Sequence, residues 1–153
     1  MNITNHWLRA EDIELDALMP DKRTALQALS HRLDGRRGDR SGDARAVFDA
    51  LWQREQLGST GVGHGVALPH ARLEELTGPI AAFLRLQRPI AFDAPDNKPV
   101  TLVMALLLPR AEPKRQLLLL AHVAELFSSA QFREKVQRAD SPEAVAKLFM
   151  QAM

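Results

Sequence analysis

The run Val100-Thr-Leu-Val-Met-Ala-Leu-Leu-Leu108 constrains the fold more than any other stretch of the chain. From Leu102 to Leu108 every residue is apolar, so no alternation separates a wet face from a dry one. Such a run is far too short to cross a bilayer as a helix, which takes about 20 residues. It has the pattern of a central β-strand covered by helices on both faces.

The rest of the pattern supplies those helices. Ile13 to Leu18 alternates apolar and acidic residues, which predicts a short half-buried strand stopped by Pro20. Asp21 is placed to cap a helix to about Leu33, with Ala25, Leu26, Leu29 and Leu33 on one face. Asp43 is placed to cap a second helix to about Gln56, with an apolar stripe of Val47, Phe48, Leu51 and Trp52. Strands are predicted over 66–68, 80–86 and 100–108. Pro113 opens a helix to about Phe127, a short helix follows over 131–138, and Ser141-Pro142-Glu143 starts the last one. The leucine run Leu117 to Leu120 is assigned to the core, and the charges of the Gly35 to Gly42 loop to solvent. Strands with helices before, between and after them imply an α/β sandwich, with residues 1–153 as a single domain.

Composition narrows the function classes. The chain has 153 residues, 46% hydrophobic and 25% charged, with a net charge of +1. That balance exerts no strong pull toward nucleic acid or an acidic membrane, and it leaves recognition of a protein partner to shape and apolar contact. The absence of cysteine excludes disulfides and thiolate chemistry and is compatible with a reducing compartment. The first residues, MNITNHWLRAEDIELD, lack the basic start and apolar core of a signal peptide, so a cytoplasmic location is expected.

Chemistry concentrates between residues 58 and 72, Gly-Ser-Thr-Gly-Val-Gly-His-Gly-Val-Ala-Leu-Pro-His-Ala-Arg. Gly58, Gly61, Gly63 and Gly65 free the backbone, and consecutive N–H groups of such a loop can converge on an anion. Ser59 and Thr60 add hydroxyls, and Arg54 ends the preceding helix. The glycines alone favour a tight helix-to-strand turn over a nucleotide site. The loop lacks the Lys-Ser/Thr ending of a P-loop and the Gly-x-Gly-x-x-Gly spacing of a dinucleotide site, and Ser59 sits in no Gly-x-Ser-x-Gly elbow. His70, after Val66-Ala67-Leu68-Pro69, is either a structural histidine or a neutral nucleophile delivered beside the cradle. His64, His70 and His122 form a metal-binding alternative, and hence a metal-dependent hydrolase. No carboxylate lies between the first two, and no pair has helical i, i+4 spacing. His6 and His31 carry no functional signal.

The blocks Arg54-Glu-Gln-Leu-Gly-Ser-Thr-Gly-Val-Gly63, Gly65-Val-Ala-Leu-Pro-His70, Pro89-Ile-Ala-Phe-Asp-Ala-Pro-Asp-Asn97 with Pro99-Val100, and Phe132-Arg-Glu134 through Ser141-Pro-Glu143 resemble one family over most of the chain. It is the enzyme IIA domain of the fructose/mannitol class in the phosphoenolpyruvate-dependent phosphotransferase system, in its stand-alone nitrogen-regulatory type. The resemblance implies a mixed β-sheet flanked by helices on both sides. It implies phosphorylation of His70 by a phosphohistidine carrier protein, with Arg54 beside it and no cofactor or metal. It places Ser59, Thr60, Gly61, Gly63, His64, Gly65 and Gln116 around the phosphate. Gln116 stands where many members carry a second histidine. Expected partners are the carrier and regulatory targets such as potassium-transport or kinase components, without nucleic acid or membrane insertion. A sugar-type enzyme IIA that passes phosphate to an enzyme IIB during sugar transport is the alternative.

Overall fold

The computed structural model describes residues 7–153, and His6 lies outside them. Along the chain these residues form β1 (Ile13–Ala17), α1 (Lys22–Asp34), α2 (Ala44–Gln56), β2 (Gly61–Gly63), β3 (Val66–Ala67), β4 (His70–Leu73), β5 (Ile80–Ile90), β6 (Val100–Pro109), α3 (Pro113–Ser128), α4 (Ala130–Arg138) and α5 (Pro142–Ala152). Short 3-10 turns occupy Ala10–Asp12 and Gly38–Arg40. Three helices start where cap chemistry predicts. Asp21 accepts from the Thr24 N–H at 2.8 Å, Asp43 from that of Ala46 at 3.0 Å, and Ser141 from that of Ala144 at 3.1 Å. Each bond satisfies an N–H that a first turn leaves without an intrahelical partner.

The six strands form one mixed sheet in the order β1-β5-β6-β3-β2, with β4 also on β6. β6 is its axis. β5 runs antiparallel along one edge of β6, while β3 and then β4 run parallel along the other, Val66 opposite Leu102 and His70 opposite Leu106. The pleat sorts the apolar run of β6 into two cores. Val103, Ala105 and Leu107 pack with Leu26, Leu29 and Leu33 of α1 and with Val47 and Leu51 of α2. Leu102, Met104, Leu106 and Leu108 pack with Leu119, Val123 and Phe127 of α3 and Phe149 of α5. The expected α/β architecture, helices on both sides of a mixed sheet, is therefore the one observed.

Three local expectations are corrected. β2 and β4 are additional strands, and β5 continues to Ile90: β2 is the glycine-rich first arm of a tight hairpin with β3, whereas β4 and the extension of β5 arise from pairing with β6 and not from local pattern. The loop over 35–42 is not a solvated tip. Arg36 donates to the Trp7 carbonyl at 2.7 Å, and Arg37 binds Asp34 at 3.1 Å and Glu75 at 3.0 Å. Their side chains are only 8% and 7% exposed. Asp34 also accepts from the N–H groups of Gly42 and Asp43. Burial works against its charge, yet those bonds and Arg37 hold its carboxyl below the ordinary range. Finally, Leu117 and Leu118 are 56% and 71% exposed. Four successive residues of a helix cover more than one full turn, so they cannot all face one core.

Candidate functional site

β3 and β4 are two halves of one strand line along β6, broken at Leu68-Pro69; β2 covers the outer side of β3, and β4 is left at the edge. Pro69 offers no N–H, but its carbonyl still accepts from Leu106 at 2.9 Å. The break brings Nδ1 of His70 within 2.9 Å of the Leu68 carbonyl. A carbonyl can only accept, so Nδ1 carries the proton and the neutral ring keeps its lone pair on Nε2. Burial pulls the His70 pKa down most strongly, ahead of the Leu68 bond that favours the cation; Arg54 and Arg72 lower it further, and Glu55 opposes them. The net result is a neutral imidazole below the usual histidine range.

His70 lines a cavity of about 690 Å³ between the end of α2, the edge strand β4 and the first turns of α3. α2 and the residue after it contribute Ala50, Gln53, Arg54, Gln56 and Leu57. β4 contributes Ala71 and Arg72, and α3 contributes Gln116, Leu117 and Leu120. Leu108 and Arg110 complete the wall. Three arginines and no carboxylate line it, so the net charge of +1 conceals a strongly positive recess. Arg54 donates to the Gly58 carbonyl at 2.8 Å, which anchors its guanidinium across the helix end. Gln116 is buried and donates one amide proton to the Ala111 carbonyl at 3.2 Å, leaving its second N–H for another acceptor. Exposed leucines rim the opening, Leu57 at 86% above all.

The glycine loop stands apart from this wall. The Ser59 hydroxyl donates to the Phe92 carbonyl at 2.8 Å and accepts from Gly61 N at 3.0 Å. Thr60 gives both its N–H and its hydroxyl to Glu55. Glu55 is wholly buried and paired at 2.7 Å with Lys22. Gly61 lies against Ala94, where a Cβ would come within 2.7 Å of the Ala94 Cβ. Gly63 and Gly65 have φ of 90° and 79°, and the exposed His64 between them, at φ 58°, donates its backbone N–H to Asp96 at 3.1 Å. Of the residues expected near the phosphate, His70, Arg54 and Gln116 share the cavity, whereas Ser59, Thr60, Gly61, Gly63, His64 and Gly65 do not line it.

Sequence reasoning overlooked Arg72, Arg110, Glu55 and Lys22. The i, i+2 spacing of Arg72 from His70 was a readable signal once 70–73 is known as a strand. Nothing local announces the Lys22–Glu55 pair. Among the described residues no three His, Asp or Glu side chains are placed to hold a metal ion, and His64, His70 and His122 are not brought together.

Comparison with known proteins assigns the chain. Residues 6–152 match the family described as phosphoenolpyruvate-dependent sugar phosphotransferase system, EIIA 2. The chain belongs to that family. This EIIA protein is 42% identical over 106 residues to the nitrogen regulatory protein of Pseudomonas aeruginosa, covering 69% of each chain. The crystal structure of nitrogen regulatory protein IIA-Ntr from Neisseria meningitidis superposes with a TM-score of 0.88 at 35% identity, over 94% of this chain and 96% of that one. Enzyme IIAMtl of Escherichia coli, solved in complex with phosphorylated enzyme IIBMtl, shares the fold, with a TM-score of 0.75 at 18% identity over 94% of this chain and 99% of that one. The EIIA chain is thus a homologue of the nitrogen regulatory proteins and an EIIA component of a phosphoryl-transfer system. Among its described residues no helix is long and apolar enough to cross a membrane.

Proposed function

We propose that this EIIA protein accepts a phosphoryl group on Nε2 of His70 from a phosphohistidine carrier protein, and that it acts in the cytoplasm as a nitrogen-type regulatory component. The observation that carries the reading is the bond from His70 Nδ1 to the Leu68 carbonyl, which leaves the lone pair on Nε2 of a ring that lines a cavity with three arginines. The neutral ring attacks phosphorus. The bond that breaks joins phosphorus to a ring nitrogen of the carrier's histidine, which keeps the electron pair. His70 retains its Nδ1 proton throughout, so no general base is required. Such transfer depends mainly on positioning and charge compensation. Arg54, fixed by Gly58, meets the equatorial oxygens, and the free N–H of Gln116 supplies a neutral donor. The protein is in this sense a protein-histidine phosphotransferase that needs neither cofactor nor metal. The exposed leucines Leu57, Leu117 and Leu118 suit a transient docking face for the carrier.

Regulatory targets such as potassium-transport or kinase components would read the phosphorylation state. The complex of enzyme IIAMtl with phosphorylated enzyme IIBMtl favours a second reading, transfer onward to an enzyme IIB. Incubation with phosphoenolpyruvate, enzyme I and the carrier tests the first step. Wild type acquires acid-labile phosphate, and His70→Ala acquires none while keeping its melting temperature. Undiminished labelling of that variant overturns the assignment.

A further inference from the structure

Resting on the reading of His70 as phosphoryl acceptor, we propose that Arg72 is a second phosphoryl-binding cation, opposing Arg54 across the cavity so that the two guanidinium groups grip the group on Nε2 from both sides.

The geometry comes from β4. Successive residues of a strand alternate faces, so His70 and Arg72 project to the same side of the sheet, about 6.6 Å apart along the strand. The register bears this out: His70 lies opposite Leu106 and Arg72 opposite Leu108, and both leucines belong to the core under α3. Ala71 between them packs in the other core. Because β4 is an edge strand, no further strand covers its outer side. Arg54 reaches the same space from α2.

The second observation is what Arg72 does not do. It is exposed, and among the described residues no carboxylate comes within ion-pair distance of it. The other arginines near the site are committed. Arg54 is tied to Gly58, and Arg110 leans toward Glu74 at 3.9 Å. An unpaired guanidinium on a wall without carboxylates is matched to a dianion, for which its planar fork offers paired donors. The charged groups facing His70 are then Arg54 and Glu55 from α2, Arg72 on its own strand and Arg110 past β6, while α3 presents the neutral Gln116. Before transfer, the two arginines disfavour a protonated, non-nucleophilic ring. After transfer, they compensate the charge that has arrived.

The test phosphorylates the full chain with phosphoenolpyruvate, enzyme I and the carrier, comparing wild type with R72Q, R72K and R88Q. Arg88 is exposed and does not line the cavity, so R88Q removes the same charge elsewhere. Three quantities are read: kcat and KM for the carrier, and the pH titration of the bound phosphoryl group by phosphorus NMR. R72Q lowers kcat about tenfold with little change in KM. It also moves the phosphoryl titration to higher pH, because the dianion has lost a cation. R72K recovers the titration, which follows charge, more fully than kcat, which also follows the fork. R88Q changes neither. Wild-type kcat and titration in R72Q overturn the clamp, as does a loss confined to KM, which would make Arg72 a docking residue. A wild-type chain without any phosphohistidine signal overturns the His70 reading and the clamp together.

Discussion

The glycine-rich loop and the β4 edge are adjacent in the chain and treat their polar groups in opposite ways. In the loop, Ser59, Thr60 and the N–H of His64 are bonded to Phe92, Glu55 and Asp96. On β4, His70 bonds through Nδ1 only to its own backbone neighbour Leu68, and both His70 and Arg72 line an open cavity. The loop spends its polar groups on internal bonds and stays off the cavity wall, while the edge strand carries the histidine and the arginine proposed to meet the phosphoryl group. A glycine-rich stretch beside a histidine therefore has two physical readings, and the bonding of its donors separates them. Donors already satisfied inside the protein cannot also receive a phosphate without giving up those bonds.

The hardest test of this division is Glu55→Ala. It leaves Lys22 and the Thr60 N–H without their buried acceptor. Breaking a buried pair from one side costs about 3 kcal/mol, moderated here because Lys22 retains Asp93 at 3.6 Å. Urea denaturation should show a lower midpoint at unchanged slope. Phosphorylation per folded molecule should also fall, because the loop that presents the Gly58 carbonyl to Arg54 loses its hold on Glu55 through Thr60. Full stability in this variant would remove the loop's structural role.

Gly61→Ala sharpens the comparison further. The added methyl meets Ala94 Cβ at 2.7 Å and Cα at 3.0 Å. Overpacking of this kind costs about 1–3 kcal/mol, and the double variant Gly61→Ala/Ala94→Gly should regain part of it. A stable Gly61→Ala protein that no longer takes phosphate would show that the glycine keeps space for the phosphate and not for Ala94.

The smallest effect is expected at Gln116→His. The wild-type ring of His70 has its pKa lowered by burial, so its neutral form persists below the ordinary histidine pKa. The phosphorylation rate should stay flat from pH 8 down to about 6.5 and fall only as the pH drops through the lowered folded value. An imidazole at 116 adds a charge-assisted donor only when protonated. The variant should therefore exceed wild type by several-fold at most, with the gap widening toward pH 6. Equal rates from pH 6 to 8 would place residue 116 out of reach of the phosphoryl group.

Much of this was readable from residue order. The positions of Asp21, Asp43 and Ser141 start three helices through bonds that span only three residues. His70 and Arg54 stood out by motif. Arg72 did not, because its partnership with His70 depends on both lying in a strand, and β4 exists only through its pairing with 106–109 of β6. The leucines at 117 and 118 misled in the same way, since apolar character alone does not say which side of α3 is covered.

The sequence by itself determined the helices, their caps and a central strand buried on both faces. Each depends on periodicity or hydrogen bonding within a few residues, and here the tertiary packing agrees with those short-range preferences. The tertiary structure alone decided that Arg36 and Arg37 are buried partners, that Glu55 pairs with Lys22, and that α2, β4 and α3 enclose one positive cavity. Those features join groups far apart in the chain. Their stabilisation comes from removing paired charges and apolar surface from water together, which happens only once the elements pack.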